Sequence, residues 1–271
     1  MARTIPRSLA GVVEHLELEG DPVVTVDSLR VAIHAAGRED PSDAKVRRTA
    51  YRLQQAGWLG TLRSRNAWEF LPGSRAGAHS GGDRFLEFRA YDANHRGWPG
   101  TLAMESAAGL HGLAQRFPER EVLALPKGMR APKSFASEWR TITSAVPASA
   151  AVFVNGLRTW TVEALLVGIG ERPTNYRDVA GLAQWLPEAV ARADLEVVIE
   201  LLSDMSNATV QRTAYLFGAV DLDAARDRVL EGSHPLEVAW FGPRGRGGLY
   251  DPATGVHDTT LRPLLSAGTG A

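Results

Sequence analysis

The chain contains no cysteine, which excludes disulfides and thiolate metal sites. It has no run approaching the ~18 consecutive apolar residues of a membrane-spanning helix. The opening "MARTIPRSLAGVVEHL" lacks an apolar stretch long enough for a secretory signal. A cytoplasmic protein without membrane contact is therefore expected.

Catalytic signatures are also missing. The seven histidines (His15, His34, His79, His95, His111, His234, His257) form no H-E-x-x-H and no pair at metal-ligand spacing. His111 lies in a mostly apolar helix, where a packed, hydrogen-bonded role is expected, and Ser106 has no G-x-S-x-G elbow around it. "GSRAG" followed by Asp83 looks like the metal-holding turn of a nucleotidyltransferase, but Arg84 and Phe85 follow where a second carboxylate is needed. "GPRGRGG" (Gly242 to Gly248) lacks the Lys-Ser/Thr ending of a phosphate loop, which leaves a glycine-rich turn whose Arg244 and Arg246 are free to meet nucleic acid. Asp221 and Asp223 read as a helix cap and a first-turn acid rather than as metal ligands. The expectation is a protein that is not an enzyme, with no catalytic residue, no metal and no cofactor.

What is present is charge segregation in a chain of 271 residues, 44% of them hydrophobic, enough for one large or two ordinary cores. The formal net charge is -1, yet residues 44–68 hold six cations (Lys45, Arg47, Arg48, Arg52, Arg63, Arg65) and no acid, which leaves -7 on the other 246 residues. Much of that deficit lies in 178–231, with ten acids against four arginines. The two ends are expected to meet different partners.

The basic stretch has a readable frame. Leu9, Val12, Val13 and Leu16 give residues 6–18 one apolar helical face. A second helix is expected over 27–36, capped by Asp27 and closed by Gly37, and a third over 43–56, capped by Ser42 and stopped by Gly57. With Val46 facing inward, a helical period of about 100° per residue puts Arg48 near 200°, Arg52 near 240° and Gln55 near 180°, together on the outer face. Strands over 59–63 and 67–71, joined by "SRN", form a hairpin with Arg63 and Arg65 at its tip.

Three helices followed by a basic hairpin is the order of a winged helix-turn-helix, in which the third helix enters the major groove of double-stranded DNA and the wing rests on the backbone. Lys45, Arg47, Arg48, Arg52, Gln55, Arg63 and Arg65 are the expected DNA-binding residues. A solvated basic helix beside an ordinary hairpin is the plainer alternative.

"PGSRAGAHSGGD" (Pro72 to Asp83) is rich in glycine and serine and marks a flexible boundary. The division expected is a DNA-binding domain at 1–75, a linker at 76–83 and a larger domain at 84–271. In the latter, helices are expected over 85–94, 104–113, 162–169, 179–186, 195–202, 208–219 and 222–230, the last capped by Asp221. Strands are expected over 121–126, 138–143 and 150–155, with strand and loop in the tail. Lys127, Arg130 and Lys133 in "LPKGMRAPK" either extend a phosphate footprint or stand in a solvated loop. The fold class expected is α+β, a winged helix-turn-helix followed by a mixed α/β to mostly helical domain.

Taken in order, "LQQAGWLGTLRSRNAWEFLPG", "MESAAGLHGL", "EVLALPKG" and "VQRTAYLFGAVDL" give the chain a resemblance to the AbiEi-type antitoxins of type IV toxin–antitoxin (abortive infection) systems. The resemblance implies an amino-terminal domain that binds inverted repeats upstream of its own operon and represses it. It also implies a carboxy-terminal domain that counters a nucleotidyltransferase-like toxin, the possible protein partner. The alternative is a stand-alone winged-helix regulator whose second domain binds a small-molecule effector.

Overall fold

A computed structural model describes residues 5–37, 40–73, 82–135, 138–233, 237–245 and 247–268. The chain is α+β and divides into two compact units, Met1–Trp98 and Pro99–Ala271.

In the first unit, a single turn at Arg7–Leu9 leads into α1 (Ala10–Glu19), which buries Val12, Val13 and Leu16 and ends at Gly20 with φ 67°. β1 (Val23–Thr25) runs directly into α2 (Val26–Ala35). The cap is Thr25, not Asp27. Thr25 Oγ1 accepts the Ser28 N–H at 3.1 Å while Ser28 Oγ accepts the Thr25 N–H at 2.8 Å. The extended backbone at the end of β1 places Thr25 for this reciprocal bond, and Asp27 falls inside the first turn. α3 (Asp43–Gln55) begins after Ser42, whose backbone occupies the cap position but whose side chain makes no cap bond.

β2 (Leu59–Thr61) and β3 (Ala67–Phe70) form an antiparallel hairpin with Leu59 opposite Phe70. β1 adds to β3 with Val24 opposite Trp68, giving the order β1-β3-β2. Leu9, Leu16, Leu29, Ile33, Val46, Leu53, Trp58 and Phe70 share one core. α4 (Leu86–Asn94), expected to open the second domain, belongs to the first unit because Leu86 and Ala90 bury against Val23 and Ala67. Most of the expected linker lies outside the described residues. At its end, Asp83 accepts the Phe85 N–H at 2.9 Å and pairs with Arg89 at 3.1 Å.

The second unit is built on β4 (Thr101–Leu102), β5 (Glu121–Pro126), β6 (Trp139–Ser144), β7 (Ala151–Val154) and β8 (Leu157–Trp160), in the order β6-β5-β4-β8-β7. α5 (Met104–Leu110) joins β4 to β5, and α6 (Val162–Glu171) follows β8. From Val162 to Gly170 only Glu163 escapes burial, so α6 is apolar all round and sits in the middle of the core. Glycines allow the close approach, since a Cβ on Gly168 would lie 2.4 Å from the Trp160 ring and one on Gly170 would lie 2.1 Å from Thr213 Oγ1.

α7 (Val179–Arg192) passes through Pro187 rather than stopping at Leu186. Its stripe of Leu182, Trp185, Leu186, Ala189 and Val190 continues beyond the proline, and that burial offsets the ~3 kcal/mol a mid-helix proline costs. α8 (Leu195–Leu202), α9 (Asn207–Gly218) and α10 (Asp223–Leu230) complete the helical layer. Asp221 does not cap α10. It has φ 63° in the turn after α9, and Leu222 holds the cap position. The tail forms β9 (Ala239–Phe241), β10 (Leu249–Asp251), β11 (Val256–Asp258) and α11 (Arg262–Gly268). Its sheet has the order β10-β11-β9, with β9 parallel to β11.

Candidate nucleic-acid interface

α3 buries Val46, Thr49, Ala50 and Leu53, which turns Lys45, Arg47, Arg48, Arg52 and Gln55 to solvent. Arg52 reaches Ser8 Oγ at 2.9 Å. Tyr51, 61% exposed, lies on the same helix among these cations. The sequence reading passed over it, although its place three residues after Arg48 and four after Arg47 was the available signal. The acid that opens α3, Asp43, is paired with Arg30. The hydrogen bond and charge of that guanidinium hold its carboxyl below the ordinary aspartate range. Arg30 also donates to Pro41 O at 2.7 Å, fixing the chain that enters α3.

The β2–β3 turn carries Arg63 and Arg65, both exposed, and closes through Asn66 in the left-handed region at φ 60°. α4 holds this turn from one side. Glu87 Oε1 accepts the Arg63 N–H at 2.6 Å, Glu87 Oε2 accepts the Ser64 N–H at 3.1 Å and the Ser64 hydroxyl at 2.9 Å, and Asn94 Nδ2 donates to Arg65 O at 3.2 Å. Gln54 Nε2 reaches Thr61 Oγ1 at 3.3 Å, tying α3 to the hairpin. The first unit thus presents a basic helix face and a basic hairpin whose backbone is pinned by a carboxylate.

The polar groups of the second unit are largely structural. The buried Ser106 hydroxyl donates to Glu121, and Ser106 Oγ accepts the Val122 N–H at 2.8 Å. His111 at the end of α5 meets Trp160 O through Nε2 at 2.7 Å. Glu105 pairs with Arg140, whose guanidinium burial pushes its pKa down, and Arg140 also donates to Asn175 O at 2.6 Å. Tyr215 donates to Asp258 at 2.6 Å, and burial raises the Tyr215 pKa. Asp223 is ion-paired with Arg226. Among the described residues, no group of three His, Cys, Asp or Glu side chains is placed to hold a metal ion. Among them, too, no helix is long and apolar enough to cross a membrane. Lys127, Arg130, Lys133 and Arg244 are exposed, and Arg246 lies outside the described residues.

Residues 100–219 match the family described as AbiEi antitoxin C-terminal domain. The crystal structure of the RV2827C protein from Mycobacterium tuberculosis is similar over 99% of this chain and 97% of that chain, with 26% identity and a TM-score of 0.81. No curated protein matches the chain in sequence. The family match therefore lies within the second unit, running from just before β4 to the end of α9.

Proposed function

We propose that the first unit is a winged helix-turn-helix that binds double-stranded DNA, with α3 in the major groove and the β2–β3 hairpin as the wing. The observation that carries this is the convergence, in one compact unit, of Lys45, Arg47, Arg48, Arg52 and Gln55 on the exposed side of α3 with Arg63 and Arg65 on the hairpin. Arg48, Arg52 and Gln55 read base edges, and Lys45, Arg47, Arg63 and Arg65 neutralise phosphates. The target is an inverted repeat in the promoter of the protein's own operon, so that the chain acts in the cytoplasm as an autorepressor. α4 belongs to this module, which extends to Trp98, because its side chains hold the wing.

The AbiEi domain supports an antitoxin role in a type IV toxin–antitoxin pair, with a nucleotidyltransferase-like toxin as partner. The test is colony survival when toxin and this protein are co-expressed from a foreign promoter, which separates protection from repression of toxin synthesis. Rescue by the full chain at verified protein levels is the expected result. Failure to rescue contradicts the antitoxin reading and leaves the DNA-binding reading standing.

A further inference from the structure

The outer side of the small sheet carries an aromatic row. Tyr250, His257 and Trp240 are direct cross-strand neighbours on β10, β11 and β9, while Phe241 and Val256 face the core. Tyr250 is 53% exposed, and the rings of Trp240 and His257 are 4.5 Å apart. His257 Nε2 meets Gly247 O at 2.8 Å, which fixes the imidazole in the row.

Trp240 also stands on the wall of a cleft of about 540 Å³ between the β9 edge, the amino end of α9 and the carboxyl end of α6. That size suits a small-molecule site. The parallel ladder decides what the edge offers: Ala239 N–H bonds to Gly255 O and Phe241 O accepts from Thr259 N–H, so the intervening Trp240 turns its own N–H and C=O away from β11, to the cleft side. Gln211, 2% exposed, donates both amide protons, to Glu237 O at 3.1 Å and Thr254 O at 3.0 Å. Its Oε1 accepts no bond from any described residue and remains an acceptor on the cleft wall.

Charge lies at the other end. Arg172 and Arg244 line the cleft with exposed side chains. Arg212 is anchored there by Gly170 O and Glu171 O at 2.5 and 2.8 Å, through Nε and Nη2, so Nη1 remains. The Glu171 carboxylate is engaged elsewhere, by the Ser144 hydroxyl and by the Ala145 N–H at 3.0 Å. The backbone N–H groups of Asn207 and Ala208, in the first turn of α9, have no intrahelical acceptor.

We propose that this cleft binds a nucleobase bearing phosphate, either a free nucleotide or the end of a single-stranded nucleic acid. The base stacks on Trp240, its edge meets the Trp240 peptide and Gln211 Oε1, and the phosphate lies between Arg172, Arg244 and the amino end of α9. An aromatic row beside cations is the surface that single strands use, because every base has a stacking face and every phosphate a charge. In a longer strand, the next bases run over His257 and Tyr250.

The test is calorimetric titration of the full chain with ATP, GTP, CTP, UTP and inorganic phosphate. A short single-stranded oligonucleotide is titrated into the chain carrying Lys45→Ala, Arg47→Ala, Arg63→Ala and Arg65→Ala, which removes the phosphate-neutralising cations proposed for the first unit. Nucleotides are expected to bind more tightly than phosphate alone, with Trp240→Ala weakening binding roughly 5- to 150-fold and Trp240→Phe retaining most of it. Arg172→Ala is expected to weaken binding and flatten its salt dependence; its exposed side chain holds no hydrogen bond among the described residues, so the variant folds if the parent does. Tighter binding of the oligonucleotide identifies a strand end as the ligand, and tighter binding of one nucleotide identifies a small effector; both support the site. No binding by any probe up to about 10 mM, or binding unchanged in both Trp240→Ala and Arg172→Ala, overturns it.

Discussion

Glu87 holds Ser64 twice through one oxygen, accepting its backbone N–H at 3.1 Å and its hydroxyl at 2.9 Å. The other carboxylate oxygen takes the neighbouring Arg63 N–H. A helix outside the three-helix frame therefore sets the backbone of the hairpin turn from which Arg63 and Arg65 project. If the hairpin acts as a wing, Glu87→Ala should weaken binding to specific and random duplexes alike, while Glu87→Gln, which keeps one acceptor oxygen and turns the other into a donor, should restore part of it. Loss of hydrogen bonds to a charged group predicts destabilisation of about 1.5 to 3 kcal/mol, read as a lower melting temperature. A fully stable Glu87→Ala variant with normal DNA affinity contradicts this role.

The same contacts predict where the first unit can be cut. Residues 1–98 should fold and bind operator DNA, at reduced affinity if two copies in the full protein engage an inverted repeat together. Residues 1–75 should be less stable by about 2 kcal/mol or more, since Leu86 and Ala90 no longer cover Val23 and Ala67. Equal melting temperatures for the two fragments would show that α4 contributes nothing.

Arg48 and Arg52 should differ from Arg63 and Arg65. Each alanine substitution on α3 is expected to cost about 1 to 3 kcal/mol on the operator and to relax base preference, whereas the hairpin substitutions weaken every sequence alike. Competition binding with single-base operator variants checks this. An equal loss on operator and random duplex for Arg48→Ala excludes base reading by that residue.

In the second unit, Gly170→Ala should be destabilising. The new methyl meets Thr213 Oγ1 at 2.1 Å and the Thr213 N at 3.1 Å. Overpacking of this kind costs about 1 to 3 kcal/mol. Adding Thr213→Ala should relieve part of it, because the side-chain clash goes while the backbone contact remains. Thermal melts of the single and double variants measure both effects.

The basic face of α3 was legible because the buried stripe of Val46, Ala50 and Leu53 fixes the rotation of every other residue on that helix. The cap of α2 was not, since a serine three residues after Thr25 is a weaker sign than the glutamate of a usual capping box. α4 was legible as a helix, but its allegiance depends on Leu86 and Ala90 meeting β1 and β3, contacts between residues distant in sequence. β8 went unread because its four residues follow β7 so closely that the hairpin blends into the start of α6. The row of Tyr250, His257 and Trp240 exists only through strand register, and no local pattern announces register.

The cations gathered on α3 and the hairpin are proposed to bind DNA phosphates. Titrating the full chain against a fragment of its own promoter at a series of salt concentrations tests it most directly. With four phosphates neutralised by Lys45, Arg47, Arg63 and Arg65, log K should fall against log[salt] with a slope of roughly -4. A flat response, or no binding at low salt, contradicts DNA binding by these cations.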